Sequence, residues 1–135
     1  MSERIIPAAM QPVYDQWHFA PAVKADDGTL YLSGLIGTET DSSVSDDPER
    51  QFHQVFTAME EILAEAGCSI SDVVEMTSYH LSLTETFPVF SAVKDARMPE
   101  PYPAWTAIGV YSLLLPGALV EVKAVARIPS WQAEG

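Results

Sequence analysis

Two side chains have chemistry that packing alone does not explain. Glu121 lies between Val120 and Val122 in an otherwise apolar stretch, and a carboxylate there costs stability unless it is solvated or paired. Lys123 or Arg127, on the same face of an extended strand, would satisfy it as an ion pair. Alternatively, a cleft holds it with its pKa raised by partial burial, and it positions a water or moves a proton. Trp105 is equally two-sided, a core or interface aromatic or a stacking platform for a flat ligand. Spacing alone does not choose.

The other reactive residue types are less suggestive. His18, His53 and His80 fall on a loop or strand start, a helix and a strand. They lack metal-ligand spacing, so no metal is expected. Cys68 follows Gly67 with no basic neighbour in sequence to lower its pKa, and reads as a small packing residue. A single cysteine excludes an internal disulfide framework and fits a reducing compartment, with the cytoplasm as the expected location. There is no P-loop, dinucleotide fingerprint, HExxH, Gly-x-Ser-x-Gly or CxxC, and Gly34-Leu-Ile-Gly37 is too weak a glycine pair to bind phosphate.

Seven Lys and Arg against 19 Asp and Glu leave a net charge of -12. Phosphate-rich partners are repelled by such a chain unless basic residues cluster, and none do, so no nucleic acid is expected. The 135 residues, 47% of them hydrophobic, suit one domain over 1–135 with a buried core. No stretch approaches the roughly 18 apolar residues of a membrane span, and the N-terminus has no apolar run of a signal peptide. A soluble, unprocessed protein with no membrane partner is the expectation.

The elements that must position these residues can be read from periodicity. Phe52, Val55, Phe56, Met59, Ile62, Leu63 and Ala66 recur at steps of three and four, predicting an amphipathic helix between Asp46 and Gly67. Asp46 or Asp47 caps its start, Pro48 suits its first turn and Gly67 its end. Residues 19–24 and 29–33 read as a hairpin around Asp26-Asp27-Gly28, with a short strand possible at 4–7. Val73 to Leu81 reads as a strand, and Thr84 to Met98 as a weaker helix capped by Thr84 or Thr86, with Phe87, Phe90 and Val93 inward. Strands at 104–113 and 118–127 close the chain across a type II turn centred on Pro116-Gly117. The order β-β-α-β-α-β-β predicts an α+β fold, a mixed sheet with two helices on one face. Trp105 and Tyr111 are expected on its uncovered face, which self-association would hide.

Four blocks, taken together, resemble the RidA/YjgF family. They are Tyr31-Leu-Ser-Gly-Leu-Ile-Gly, Ile62-Leu-Ala-Glu-Ala-Gly-Cys-Ser, Asp72-Val-Val-Glu-Met-Thr-Ser-Tyr and Pro116-Gly-Ala-Leu-Val-Glu-Val-Lys-Ala-Val-Ala, and the resemblance runs from about residue 18 to residue 128. It implies a chorismate-mutase-like fold and a homotrimer whose sheets form a central β-barrel, with three small-molecule clefts between subunits. In the family's deaminases an Arg at the start of the penultimate strand grips the substrate carboxylate. A Glu in the last strand positions the hydrolytic water, and a Tyr near the first hairpin lines the site. These enzymes hydrolyse enamine and imine intermediates to keto acids and ammonia without a cofactor.

The family's Glu falls on Glu121, which favours the functional reading of that residue. Its Arg does not carry over, because Trp105 stands there in Pro103-Ala-Trp-Thr-Ala-Ile-Gly-Val. Phe19, preceded by His18, stands at the Tyr position, and Tyr102-Pro-Ala-Trp-Thr-Ala with Ala126-Arg-Ile-Pro resembles a Trp-containing, YjgH-like branch. The resemblance thus implies Glu121 as the catalytic residue, with Trp105, His18, Phe19, Ile36, Tyr102 and Thr106 around the ligand. An indole offers one N–H where a guanidinium offers a charged fork. Losing a charge-assisted hydrogen bond of about 1.5–3 kcal/mol weakens carboxylate binding roughly ten- to a hundredfold. Lys123 is a conceivable replacement cation, with pairing to Glu121 as the plainer alternative. The readings that follow are a deaminase or hydrolase with altered substrate choice, then a trimeric metabolite-binding protein without chemistry. The ribonuclease and translation-inhibitor label of some relatives comes last, on charge.

Overall fold

A computed structural model describes residues 2–129. Its first helix, α1 (Pro48–Glu65), forms for the reasons its sequence supplies: Asp47 Oδ1 accepts the Glu49 N–H at 3.2 Å, and Pro48 occupies the first turn. At the other end Gly67 takes φ +79°, and the Cys68 N–H donates to the Leu63 carbonyl at 2.8 Å and Gly67 N–H to Ala64 at 3.1 Å, a glycine C-cap. Between these stops Phe52, Val55, Phe56, Met59, Ile62 and Leu63 are wholly buried.

Six strands form one sheet: β1 (Glu3–Ile5), β2 (Ala22–Lys24), β3 (Thr29–Leu32), β4 (Val73–His80), β5 (Ala104–Gly109) and β6 (Val120–Arg127), in the order β1-β2-β3-β6-β4-β5. Every pairing is antiparallel except β4 with β5, which the second helix α2 (Leu83–Arg97) connects. Along β6 burial alternates, with Val120, Val122, Ala124 and Ala126 in the core under the helices and Glu121, Lys123, Val125 and Arg127 on the other face. Cross-strand register puts Tyr79 and Thr77 of β4, and Tyr31 of β3, on that second face with them. The mixed sheet with two α-helices on one face is therefore as expected. Arg97 ties the helices together, donating to the His53 carbonyl at 3.1 Å, Thr57 Oγ1 at 3.0 Å and Glu60 Oε1 at 3.1 Å.

Several boundaries differ from the sequence reading. β2 starts at Ala22 rather than residue 19, since Pro21 has no N–H to give a ladder and His18 takes a left-handed φ of 61°. β5 ends at Gly109, where β4 runs out of partners, and β6 begins at Val120. In α2 the cap position is Ser82, without a side-chain cap bond, and Thr86 Oγ1 instead donates to the Ser82 carbonyl at 3.2 Å. Trp105 is the larger correction. It does not lie on the uncovered face: it pairs in register with the buried Met76 and packs under α2, while Tyr111 lies beyond the strand, 100% exposed. The turn at 115–118 does form as read, with Gly117 at φ +86° and Ala118 N–H donating to Leu115 O at 3.1 Å.

Candidate functional site

Glu121 owes its setting to a break in the β3–β6 ladder. Tyr31 pairs with Val125, but beyond Leu32 the chain bulges, and it rejoins β6 only through Leu35, which exchanges N–H···O bonds of 2.7 and 2.9 Å with Val122. Gly34 fills the gap beside Glu121: a Cβ there would come within 2.6 Å of Glu121 Oε2. Only a glycine lets the carboxylate lie against the backbone at this point. Ser33 pins the facing segment, its Oγ donating to the Ala20 carbonyl at 2.6 Å and its N–H to the Pro21 carbonyl at 2.9 Å. Phe19, next to Ala20, lines the same cleft as Gly34.

The result is a cleft of about 620 Å³ lined by Glu121, Phe19, Gly34, Ile36, Trp17 and Leu114, with Gln54 of α1 contributing a buried Oε1 that has no hydrogen-bond partner among the described residues. Glu121 is half-buried, and no ion pair within 4.0 Å joins it to Lys123 or Arg127. Lys123 is exposed, opposite Thr77, and Arg127 Nη1 donates to Thr29 Oγ1 at 2.9 Å. Among the described residues the ion-pair reading of Glu121 with Lys123 or Arg127 therefore does not hold. On the same rim Glu39 is held below the usual carboxylate range by the Arg50 guanidinium, which donates to both its oxygens at 2.7 and 2.8 Å.

A second constellation forms on the covered side, at the β5 edge. Trp105 stacks on Phe87 at 5.4 Å between centroids and 8° between planes, and lies tilted against Phe90 at 6.0 Å. Its Nε1 donates to Ser78 Oγ at 2.9 Å, and that oxygen lies 2.8 Å from His80 Nε2. The arrangement using most donors has the Ser78 hydroxyl donating to His80 Nε2, with the ring proton on Nδ1, which has no partner among the described residues. Burial holds the His80 imidazole neutral by pushing its pKa below the ordinary 6.5. Lys94 Nζ lies 4.8 Å from the Trp105 ring centroid and 5.7 Å from that of Tyr102.

The structure thus sorts the sequence-derived site residues into two groups. Glu121, Phe19 and Ile36 share one cleft. Trp105 and Tyr102 meet at Lys94, and Thr106 is exposed on β5. His18 is exposed and does not line the cleft. Glu121 and Trp105 project from opposite faces of the sheet, so within one copy they do not bind the same ligand. The sequence reading did not find Gly34, Trp17, Gln54, Ser78 or Lys94; Lys94 was findable, being four residues from Phe90 and seven from Phe87 on the inward stripe of α2. Cys68 is buried, and burial raises its thiol pKa, consistent with packing. Among the described residues there is no group of three or more His, Cys, Asp or Glu side chains able to hold a metal ion, and no helix is long and apolar enough to cross a membrane.

Comparison with known proteins agrees with this architecture. The family model described as Endoribonuclease L-PSP matches residues 10–128. The chain is 32% identical over 126 residues to the RutC family protein YjgH of Escherichia coli (strain K12), covering 93% of this chain and 94% of that protein. It is 31% identical over 130 residues to a 2-iminobutanoate/2-iminopropanoate deaminase of Dermatophagoides farinae, covering 93% and 97%. The solved structure of protein YJGH matches with a TM-score of 0.85 at 31% identity, over 96% of this chain and 98% of that one.

Proposed function

The chain belongs to the Endoribonuclease L-PSP family, that of the RidA/YjgF proteins, and from that premise we propose that it hydrolyses small imines or enamines at clefts formed between copies of itself. The observation that carries this reading is Glu121, a half-buried carboxylate with no cation within 4.0 Å among the described residues, set against Gly34 in a cleft of about 620 Å³. A relative of similar length bears the name of an imino-acid deaminase, which supplies the reaction class. Glu121 accepts a proton from a water as that oxygen bonds to the imine carbon and the C=N π pair moves to nitrogen. Returning that proton to nitrogen gives a carbinolamine, and transfer of its hydroxyl proton to nitrogen then breaks the C–N bond as the C=O forms, releasing ammonia and leaving a carbonyl. One water is consumed and nothing is oxidised. An enamine must first take a proton at carbon.

Glu121 and Trp105 diverge within one copy, so a complete site requires the Glu121 cleft of one subunit to face the β5 edge of another, as a homotrimer around a central barrel would arrange. Light scattering at micromolar concentration should give three times the monomer mass, and a stable monomer would defeat this assembly. For the chemistry, an imino acid generated in situ by an amino-acid oxidase is followed as ammonia release above the rate in buffer. Glu121→Gln should abolish that excess while still binding the product keto acid; undiminished turnover in the variant overturns the assignment. The second reading, a metabolite-binding protein without turnover, draws on Trp105 standing at the position of the family's Arg. It stands if ligands bind and no imine is hydrolysed faster than in buffer.

A further inference from the structure

Lys94 is the one buried cation among the described residues, 6% exposed. Lys24, Arg50 and Arg97 each have a carboxylate within 4.0 Å, and among the described residues Lys94 has none. Its ammonium rests on the Trp105 and Tyr102 rings at 4.8 and 5.7 Å. A π face stabilises a cation but accepts none of its N–H donors in a conventional hydrogen bond, and the Lys94 nitrogen is not among the wholly buried polar atoms without a partner, so its donors meet solvent. An anion can replace that solvent on an ammonium whose place the two rings already fix. Tyr102, 63% exposed, is the outer wall, and Trp105 is held in place from behind by Ser78.

We propose that Lys94, seated on Trp105 and Tyr102, is the anchor for the carboxylate of the ligand, so that the site selects small 2-oxo or 2-imino acids. This rests on the reading that the β5 edge forms one wall of the inter-subunit cleft. The substitution at the start of β5 then moves the positive charge from that strand to α2 instead of deleting it. The sequence-level conclusion that the site discourages carboxylates is reversed.

Calorimetric titration with pyruvate and with its neutral isostere pyruvamide tests the assignment without requiring turnover. Wild type should prefer pyruvate about ten- to a hundredfold, the range of a charge-assisted hydrogen bond. Lys94→Met, which keeps the packing volume, should bring pyruvate down to the affinity of pyruvamide and leave pyruvamide unchanged. Lys94→Arg should keep most of the preference, and Lys123→Met all of it. Equal binding of the two ligands by wild type, binding of neither, or a preference that survives Lys94→Met would each overturn the proposal. A cooperative melting transition for Lys94→Met, and its unchanged affinity for pyruvamide, confirm that the variant is folded. Failure of the cleft reading itself would show separately, as a monomer in light scattering.

Discussion

The two constellations are built in opposite ways. Around Glu121 the chain removes material: a glycine at position 34, a bulge in the ladder and a rim of exposed Trp17, Phe19 and Leu114. Around Trp105 it adds material, with Phe87 and Phe90 against the indole, Ser78 bonded to it and His80 behind Ser78. The first leaves room for water and motion, which the proposed proton transfer needs. The second fixes the indole by making it part of the core, at the cost of a His80 Nδ1 without a hydrogen-bond partner among the described residues. Stability should therefore be sensitive on one side and turnover on the other.

The sharpest break comes from Trp105→Ala. Truncating a buried aromatic costs about 3–5 kcal/mol, and the half-burial of Trp105 places it near the lower end, about 3 kcal/mol. Denaturant unfolding at fixed protein concentration should show this, whereas Phe19→Ala on the exposed rim should stay within about 0.5 kcal/mol. Equal losses for the two would erase the contrast. Gly34→Ala reverses the pattern. Gly34 does not have a positive φ, so the backbone tolerates alanine, but the new Cβ meets Glu121 Oε2. Displacing a catalytic group by about an ångström costs roughly a hundredfold in rate, so turnover should fall by that factor with little change in unfolding midpoint. A variant with full turnover would mean that the carboxylate does not act from this position.

Ser78→Ala comes next. It removes the acceptor of the Trp105 N–H and the partner of His80 Nε2 together, and unmade buried hydrogen bonds cost about 1–3 kcal/mol. Because the two residues share one network, the Ser78→Ala and Trp105→Ala losses should add to more than the double variant shows. Strict additivity would mean that Ser78 supports the core independently of the indole.

What the sequence disclosed follows the same division. α1 was readable because its apolar period, its Asp47-Pro48 start and its Gly67 stop all agree. Glu121 was readable because strict alternation along β6 marks a lone carboxylate as an exception. The face of Trp105 was not. Ala104-Trp-Thr-Ala-Ile-Gly carries apolar residues at both odd and even positions, so a period of two assigns no inside to it. Which face is covered is decided by pairing with β4 and by α2, both remote in sequence. Lys94 was overlooked because lysine is rarely buried. Its spacing from Phe87 and Phe90 nonetheless placed it inward, and the weak apolar pattern of α2 reflects the charge on its buried face.

The smallest effect expected is a titration. His80 is buried and neutral, with its pKa below the ordinary 6.5, while in the unfolded chain it titrates near that value. Below pH 6.5 the unfolded state takes up a proton that the folded state refuses, so stability is fully present above 6.5 and falls as pH drops from there towards the lowered folded value. The melting temperature should thus be level just above pH 6.5 and decline below it, before exposed carboxylates protonate. His80→Gln keeps an acceptor for Ser78 but cannot titrate, and it should flatten the decline between pH 6.5 and 5.5. A variant that follows the wild-type slope through that interval would show that the imidazole gains protons equally in both states, and the Trp105 side would then be less sealed from water than its packing implies.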